Sequence, residues 1–248
     1  MTQRLRTEGV ARVVMGELAP GPRQRITDQL YALWHEYFVG IDRDAFAQSH
    51  LLDNTHVVMT LGPGGDLAGF GYINRAVIEA GGRKHLMLGG GTFSRVEYAG
   101  SGALWLGLVQ ETARIRLSHP GLPVVGISIA TNPLVYDLTA RMMATMAPRE
   151  GFEPPPEALA IAHHVAGLRN FTVDPHDPWI IQWSARTAQV ERLLRSKAYA
   201  RRTPAMQWFE SRVPDWTEGR ALLVWAPLSA DNLARGALRL ARYRRTHG

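Results

Sequence analysis

Apolar positions along the chain change period several times, and each change marks an element. Val10–Leu18 alternates as a first strand, and Ala19-Pro20-Gly21-Pro22 interrupts it. From Gln24 to Val39 the spacing becomes helical, with Ile26, Leu30, Leu33, Tyr37 and Phe38 on one face. Asp42 stands where an N-cap belongs, ahead of a second short helix over Arg43–Leu52. Val57–Leu61, the turn Gly62-Pro63-Gly64-Gly65 and Leu67–Ile78 read as a hairpin, and Ala80-Gly81-Gly82 turns the chain into a further strand, Lys84–Tyr98. These three strands are expected to form an antiparallel meander.

Ala103–Leu117 follows as a helix, with Leu104, Leu108 and Ile115 along one side and Trp105 and Thr112 beside them. Gly107 inside it lowers helix propensity. Ser118-His119-Pro120-Gly121 ends the helix. Pro123–Ala130 is short, apolar and β-branched, as a buried strand should be. Asn132-Pro133 then opens a helix over Leu134–Met146, with proline in the first turn. The order is strand, two helices, three strands, helix, strand, helix. A helix between Lys84–Tyr98 and Pro123–Ala130 implies a crossover and a parallel pair. The fold class expected is a mixed α/β (α+β) sheet and not a doubly wound one.

Glu150-Gly151-Phe152-Glu153-Pro154-Pro155-Pro156 breaks the pattern and divides a core over 1–152 from a C-terminal extension over 153–248. In the extension Ala158–Val165, Gln189–Ala198 and Asn232–Arg245 read as helices, the last capped by Ser229, and Trp179–Trp183 and Leu222–Trp225 as strands. Whether this part completes the sheet or forms a second lobe is open at this point.

Composition narrows the function classes. The chain has 248 residues, 46% hydrophobic and 20% charged, enough for a sizeable core. No apolar run approaches the roughly 18 residues that a membrane-spanning helix needs, and the N-terminus lacks the continuous apolar segment of a secretory signal. There is no cysteine, which excludes disulfides, zinc–cysteine sites and a thiol nucleophile. A cytoplasmic location is expected, and Asn170-Phe171-Thr172 is then without meaning as a glycosylation signal. The net charge is +6, but of 28 basic residues only Lys84 and Lys197 are lysine. So lopsided a ratio reads as a genome-composition bias sooner than a nucleic-acid surface, and the charge is not clustered with interleaved aromatics except at the extreme C-terminus. It suits an anionic cofactor or an acidic carrier protein equally well.

Candidate chemistry begins at Gly100 and Gly102, which lie between an extended segment and a long helix. Helix N-termini present unpaired N–H groups to anions, and glycine admits a phosphate close to the backbone. Residues 98–103 read either as a pyrophosphate seat or as a plain strand-to-helix turn. A Rossmann fingerprint fails after Gly102, and a P-loop lacks its Gly-Lys-Ser/Thr.

This arrangement resembles the GNAT superfamily, the acyl-CoA-dependent N-acyltransferases, over about residues 8–152. The family's pyrophosphate loop, Q/R-x-x-G-x-G/A, corresponds to Ala99, Gly100, Ser101, Gly102, Ala103 and Leu104, with Val96-Glu97-Tyr98 leading in. Gly102 matches the most characteristic position. Ala99 replaces the usual Gln or Arg, and Leu104 replaces the last small residue. The resemblance implies a GNAT-like fold and acetyl-CoA or a longer acyl-CoA as co-substrate without a metal. It further implies donor contacts from Ser94, Val96, Tyr98, Ala99, Gly100, Ser101, Gly102, Ala103 and Asn132. Asn132 has a second reading as a helix cap.

Gly89-Gly90-Gly91 lies inside a predicted strand and reads as a bulge or a close backbone approach. In GNAT folds the corresponding strand splays to admit the pantetheine arm, so missing side chains here suggest a donor acyl group larger than acetyl, and Gly90→Val should shorten the preferred chain. Transfer to an amine needs a base and an acid. His85 is the candidate base, against the reading of a surface histidine at a strand start; Glu97 belongs on the rim of the loop or acts as a base. The family's acid is a tyrosine in N-x-x-A-x-x-x-Y, which from Asn132 falls on Val135 and Thr139. Tyr136, about one turn earlier, is the candidate substitute; its other reading is packing.

Other features carry less. His163-His164 lacks the Asp and Gly of H-H-x-x-x-D-G, because residue 168 is Leu, and two adjacent histidines alone do not make a metal site. His35-Glu36 reads as an exposed polar pair, while Trp34, Tyr37 and Phe38 either line an acceptor pocket or pack the core. Arg235, Arg239, Arg242, Arg244 and Arg245 form a solvated face or a contact for an acyl-carrier protein or a CoA phosphate. The expectation is an acyltransferase moving an acyl group from acyl-CoA, or from an acyl-carrier protein, to a small-molecule or peptide amine. The alternative is a catalytically idle GNAT-fold module that binds acyl-CoA or a protein as a sensor.

Overall fold

The computed structural model describes residues 7–98, 103–183, 185–188 and 190–247. It divides into two compact units, residues 1–76 with 88–122 and residues 77–87 with 123–248. The chain is mixed α/β, as expected.

In the first unit β1 (Gly9–Val14) ends in a 3-10 turn, Met15–Glu17, where Gly16 N–H donates to Asp53 O at 2.9 Å. The first strand is therefore shorter than the alternation suggested. Helix α1 is Pro20–His35, displaced toward the N-terminus from the expected 24–39. Pro20 sits at the first helical position, where a missing N–H costs nothing, so the prolines open the helix instead of delaying it. Phe38–Val39 is extended (β2). Helix α2, Arg43–His50, is capped as expected: Asp42 Oδ1 accepts from Ala45 N–H at 2.8 Å.

Strand β3 is Thr55–Leu61, β4 is Leu67–Ala80 and β5 is Arg83–Ser94; β4 and β5 run on into the second unit. The strand order in the first unit is β1-β3-β4-β5. β1 pairs antiparallel with β3 from Gly9↔Leu61 to Val14↔His56, and β3 antiparallel with β4 from Thr55↔Asn74 to Leu61↔Leu67. Helix α3 is Ala103–Leu117, with the expected bounds. Its inner stripe of Leu104, Gly107, Leu108, Glu111 and Ile115 is buried. A Cβ on Gly107 would stand 2.7 Å from Val58 Cγ1, and one on Gly71 would stand 2.6 Å from Leu108 Cδ1. The helix-weakening glycine is thus the point where α3 closes on β3.

The second unit starts from the ends of β4 and β5 that flank Gly81-Gly82. Gly81 and Gly82 turn the chain there with φ of 60° and 73°, the conformation of a type I′ hairpin turn. Strand β6 (Val124–Ala130) neighbours β5, and Leu86 N–H donates to Pro123 O at 2.9 Å. Helices α4 (Pro133–Met142) and α5 (Pro156–Leu168) follow, then β7 (Thr172–Val173), β8 (Ile180–Gln182) and β9 (Arg186–Thr187). The helix expected over 189–198 is two short ones, α6 (Val190–Leu194) and α7 (Lys197–Ala200), because Ser196 starts a new helix by accepting from Tyr199 N–H. Helix α8 (Pro204–Arg212), β10 (Arg220–Pro227) and α9 (Ala230–His247) complete the chain.

β10 pairs antiparallel with β6 from Leu222↔Ala130 to Pro227↔Val125 and with β8 on its other edge. The last hundred residues therefore supply strands beside β6. Helix α4 docks against α8 and α9 through specific contacts. Tyr136 stacks on Trp208 with ring centroids 5.1 Å apart, and Asp137 accepts from Thr203 Oγ1 at 2.8 Å. A Cβ on Gly236 would overlap the Met142 carbonyl, so α9 needs that glycine for its approach. Arg220 joins Asp174 and Asp215, and Arg212 binds both carboxylate oxygens of Asp177, tying the β7–β8 and β10 connections together.

Candidate functional site

The C-terminal end of β5 is fixed by aromatic packing. Phe93 lies among Tyr37, Phe38, Phe70 and Tyr72, with centroids 5.0–6.5 Å away. The Tyr37 hydroxyl donates to the Ser94 carbonyl, and Arg95 N–H donates to Ala68 O at 2.9 Å. Of the three aromatic residues of the α1 end, Trp34 and Phe38 are buried and belong to the core; Tyr37 is half-buried and holds β5. His35 and Glu36 are exposed, as expected; Glu36 stands 3.9 Å from the Arg95 guanidinium.

The strand expected to reach Tyr98 stops at Ser94, and Val96–Tyr98 is a 3-10 turn closed by Tyr98 N–H on Arg95 O at 3.0 Å. Glu97 is half-buried in this turn. Tyr98 lies across the β3–β4 turn: a Cβ on Gly62 would overlap the Tyr98 hydroxyl and stand 2.8 Å from its Cζ. Gly62 has an ordinary φ of −87°, so close approach and not backbone conformation is what requires glycine. Ala99, Gly100, Ser101 and Gly102 lie outside the described residues. Ala103 is the first residue of α3, so the glycine pair falls between an ordered turn and a helix start.

Of the Gly89–Gly91 run, Gly90 is explained by its neighbour. A Cβ there would overlap the carbonyl oxygen of Tyr72 on β4, and one on Gly91 would stand 3.1 Å from the Tyr72 ring. The reading that holds is a close backbone approach. Gly90→Val is accordingly no measure of acyl-chain length, because valine there disturbs the packing of β5 on β4.

His85, Asn132 and Tyr136 belong to the second unit. His85 is 1% exposed, which removes the reading of a surface histidine. Its Nε2 lies 3.2 Å from Ala80 O. The carbonyl there accepts from Nε2–H, and Nδ1 meets no hydrogen-bonding group among the described residues. Glu157 at the start of α5 is bound by Arg83 at 2.9 Å. Its own backbone N–H holds the Glu157 carboxyl below its usual range, with Arg83 and His85 adding to this.

Tyr136 is 2% exposed, and its hydroxyl donates to Pro148 O at 3.0 Å. Burial pushes its phenol above the usual tyrosine range. Thr139, at the family's tyrosine position, bonds its own helix through Val135 O at 2.9 Å. Asn132 Oδ1 accepts from Leu134 and Val135 N–H at 3.1 Å, so it caps α4. His163 Nε2 lies 2.8 Å from Pro178 O, and Arg235 pairs with Asp231 at 2.8 Å within α9. Among the described residues no group of three or more His, Asp or Glu is placed to hold a metal ion, and no helix is long and apolar enough to cross a membrane.

Sequence reasoning missed long-range contacts within each unit. Tyr37–Ser94, Gly62–Tyr98 and Arg83–Glu157 join residues far apart in the chain, and no local pattern announces them.

No family model matches the chain, and no curated protein matches it. Solved structures show distant likenesses. A probable N-acyltransferase of Enterococcus faecalis is 14% identical, with a TM-score of 0.38, over 54% of this chain and 32% of that one. A Corynebacterium glutamicum protein described as histone acetyltransferase HPA2 and related acetyltransferase is 12% identical, with a TM-score of 0.36, over 60% of this chain and 90% of that one. The GCN5-related glucosamine N-acetyltransferase region of a fungal multi-domain β-N-acetylglucosaminidase is 13% identical, with a TM-score of 0.34, over 67% of this chain and 17% of that one. The first and last of these proteins are much longer than the part matched, and none of the three likenesses by itself assigns an activity.

Proposed function

We propose that this chain is a GNAT-like acyltransferase that takes an acyl group from acyl-CoA, or from an acyl-carrier protein, to an amine. The observation that carries the reading is the β5–turn–α3 junction. A strand pinned by Tyr37 ends in a turn over Val96–Tyr98, helix α3 runs from Ala103, and the four residues between them in sequence include Gly100 and Gly102. Helix N–H groups and side-chain-free backbone at such a junction suit a pyrophosphate. The order of elements around it, β1-α1-α2-β3-β4-β5-α3-β6-α4 with the short β2 between the first two helices, agrees with the GNAT resemblance.

In this reaction the amine nitrogen attacks the thioester carbonyl carbon, the C–S bond breaks, and the amide and the free thiol are the products. A proton leaves the amine and one reaches the thiolate. In this reading His85 Nδ1 accepts the amine proton through a water, since the ring is closed to direct contact. Tyr136 supplies the thiol proton only if its hydroxyl leaves Pro148 O. Residues 1–152 form the GNAT-like core, residues 153–248 an extension that supplies further strands, and the protein works in the cytoplasm.

A specific observation favours a second reading. Both proton-transfer candidates are buried and turned toward backbone carbonyls. That suits a module that binds acyl-CoA without turning it over. The test measures CoA, acetyl-CoA and longer acyl-CoAs by thermal shift, since a ligand of the folded state raises its stability, and thiol release in the presence of a panel of amines. Stabilisation with amine-dependent thiol release supports the enzyme. Stabilisation without release supports the sensor. No stabilisation by any CoA, and no transfer from acylated carrier protein, overturns both.

A further inference from the structure

Helix α3 carries apolar side chains on two opposite faces. The inner face is occupied by β3 and β4 through Gly107 and Leu108. On the outer face Trp105 is 53% exposed, Leu106 59%, Val109 51% and Leu117 80%. At about 100° per residue these four, with exposed Ala113, fall within one sector of about 120°. Val10 on β1, the edge strand of the first unit, is exposed as well. Singly exposed apolar residues are ordinary; a contiguous stripe with a tryptophan is not.

We propose that this face joins two copies of the chain, α3 against α3, about a two-fold axis. Three features favour a second copy over another occupant. The stripe is self-complementary when antiparallel: with the axis near Glu111, Trp105 faces Leu117 of the other copy and Val109 faces the small Ala113. Such isologous packing is the common way a protein meets itself. Charge does not oppose it. The outward stripe holds no carboxylate, its one cation, Arg116, faces Leu106 of the other copy so that the two Arg116 side chains lie on opposite sides of the axis, and Glu111 is buried on the other face, bound by His56 and Arg114. A single cation on the stripe also falls short of the basic face by which a helix lies on an anionic membrane.

The area fits a reversible pair. The four large side chains expose on the order of 400 Å² of apolar surface per copy, as much as the largest patch on an ordinary monomer and about half of what each partner buries in a standard interface. The association is therefore expected to depend on concentration. It is independent of the proposed reaction.

Sedimentation velocity of the full chain across about a hundredfold concentration range tests it. The expected result is a monomer–dimer equilibrium that Val109→Arg abolishes, with an unchanged thermal midpoint at dilutions where the wild type is monomeric, because the site is then exposed. The chain has no cysteine of its own, so a Val109→Cys/Ala113→Cys double variant reports the geometry directly. It should cross-link to a dimer on oxidation. A wild-type monomer at every concentration overturns the proposal, and if that monomer sediments with phosphatidylserine vesicles the face belongs to a lipid surface. A dimer that survives Val109→Arg, or fails to cross-link through these cysteines, places the interface elsewhere and overturns it too.

Discussion

His56 Nδ1 lies 2.8 Å from Glu111 Oε1, joining β3 to the buried stripe of α3. Arg12 on β1 and Arg114 on α3 approach the other carboxylate oxygen, and His56 Nε2 is buried without a partner among the described residues. Glu111→Leu leaves the imidazole with no partner at all. It should lower stability by about 1–3 kcal/mol, read as a lower urea midpoint at unchanged slope. Glu111→Gln, which still accepts from Nδ1–H, should recover most of the loss. Equal losses in the two variants would remove the hydrogen bond as the cause.

Gly90→Ala is expected to destabilise by about 2–3 kcal/mol, in the range of overpacked cores, because its Cβ would overlap the Tyr72 carbonyl. Gly82→Ala, at the hairpin tip, meets no atom within 4 Å and is opposed only by its φ of 73°. Its cost should be smaller. Thermal unfolding of the two variants in parallel checks the contrast.

Tyr136→Phe removes the hydrogen bond to Pro148 O, a loss of about 1 kcal/mol near neutral pH. The folded state raises the phenol's affinity for its proton. The stability that this group contributes is therefore complete below the unfolded tyrosine value of about 10 and is lost as pH rises above it. The wild-type advantage over Tyr136→Phe should shrink in alkaline solution. A constant difference at all pH values would mean that the phenol does not titrate differently on unfolding.

Gly62→Ala pushes Tyr98 away from the β3–β4 turn just ahead of the glycine pair. If the phosphate seat lies there, calorimetry should show CoA binding weakened several-fold. Tyr98→Ala should add little in the Gly62→Ala background, because the two residues share one contact. Additive effects would separate Tyr98 from the turn.

Local chemistry alone determined much of this protein. The bounds of α3, the Asp42 and Asn132 caps and the β3–β4 hairpin followed from periodicity, capping side chains and glycine turns, which act within a few residues. Two boundaries moved for equally local reasons that periodicity does not register: proline is accepted in a first helical turn, and Ser196 restarts a helix. Tertiary structure decided the rest. Burial of His85 and Tyr136, the role of Gly90 against Tyr72, and the pairing of β10 with β6 depend on which distant segments come to lie side by side. A side chain's exposure and hydrogen-bond partner are properties of its neighbours in space. The same histidine or tyrosine is a proton carrier or a packed ring according to those neighbours, and its own residue type does not choose between them.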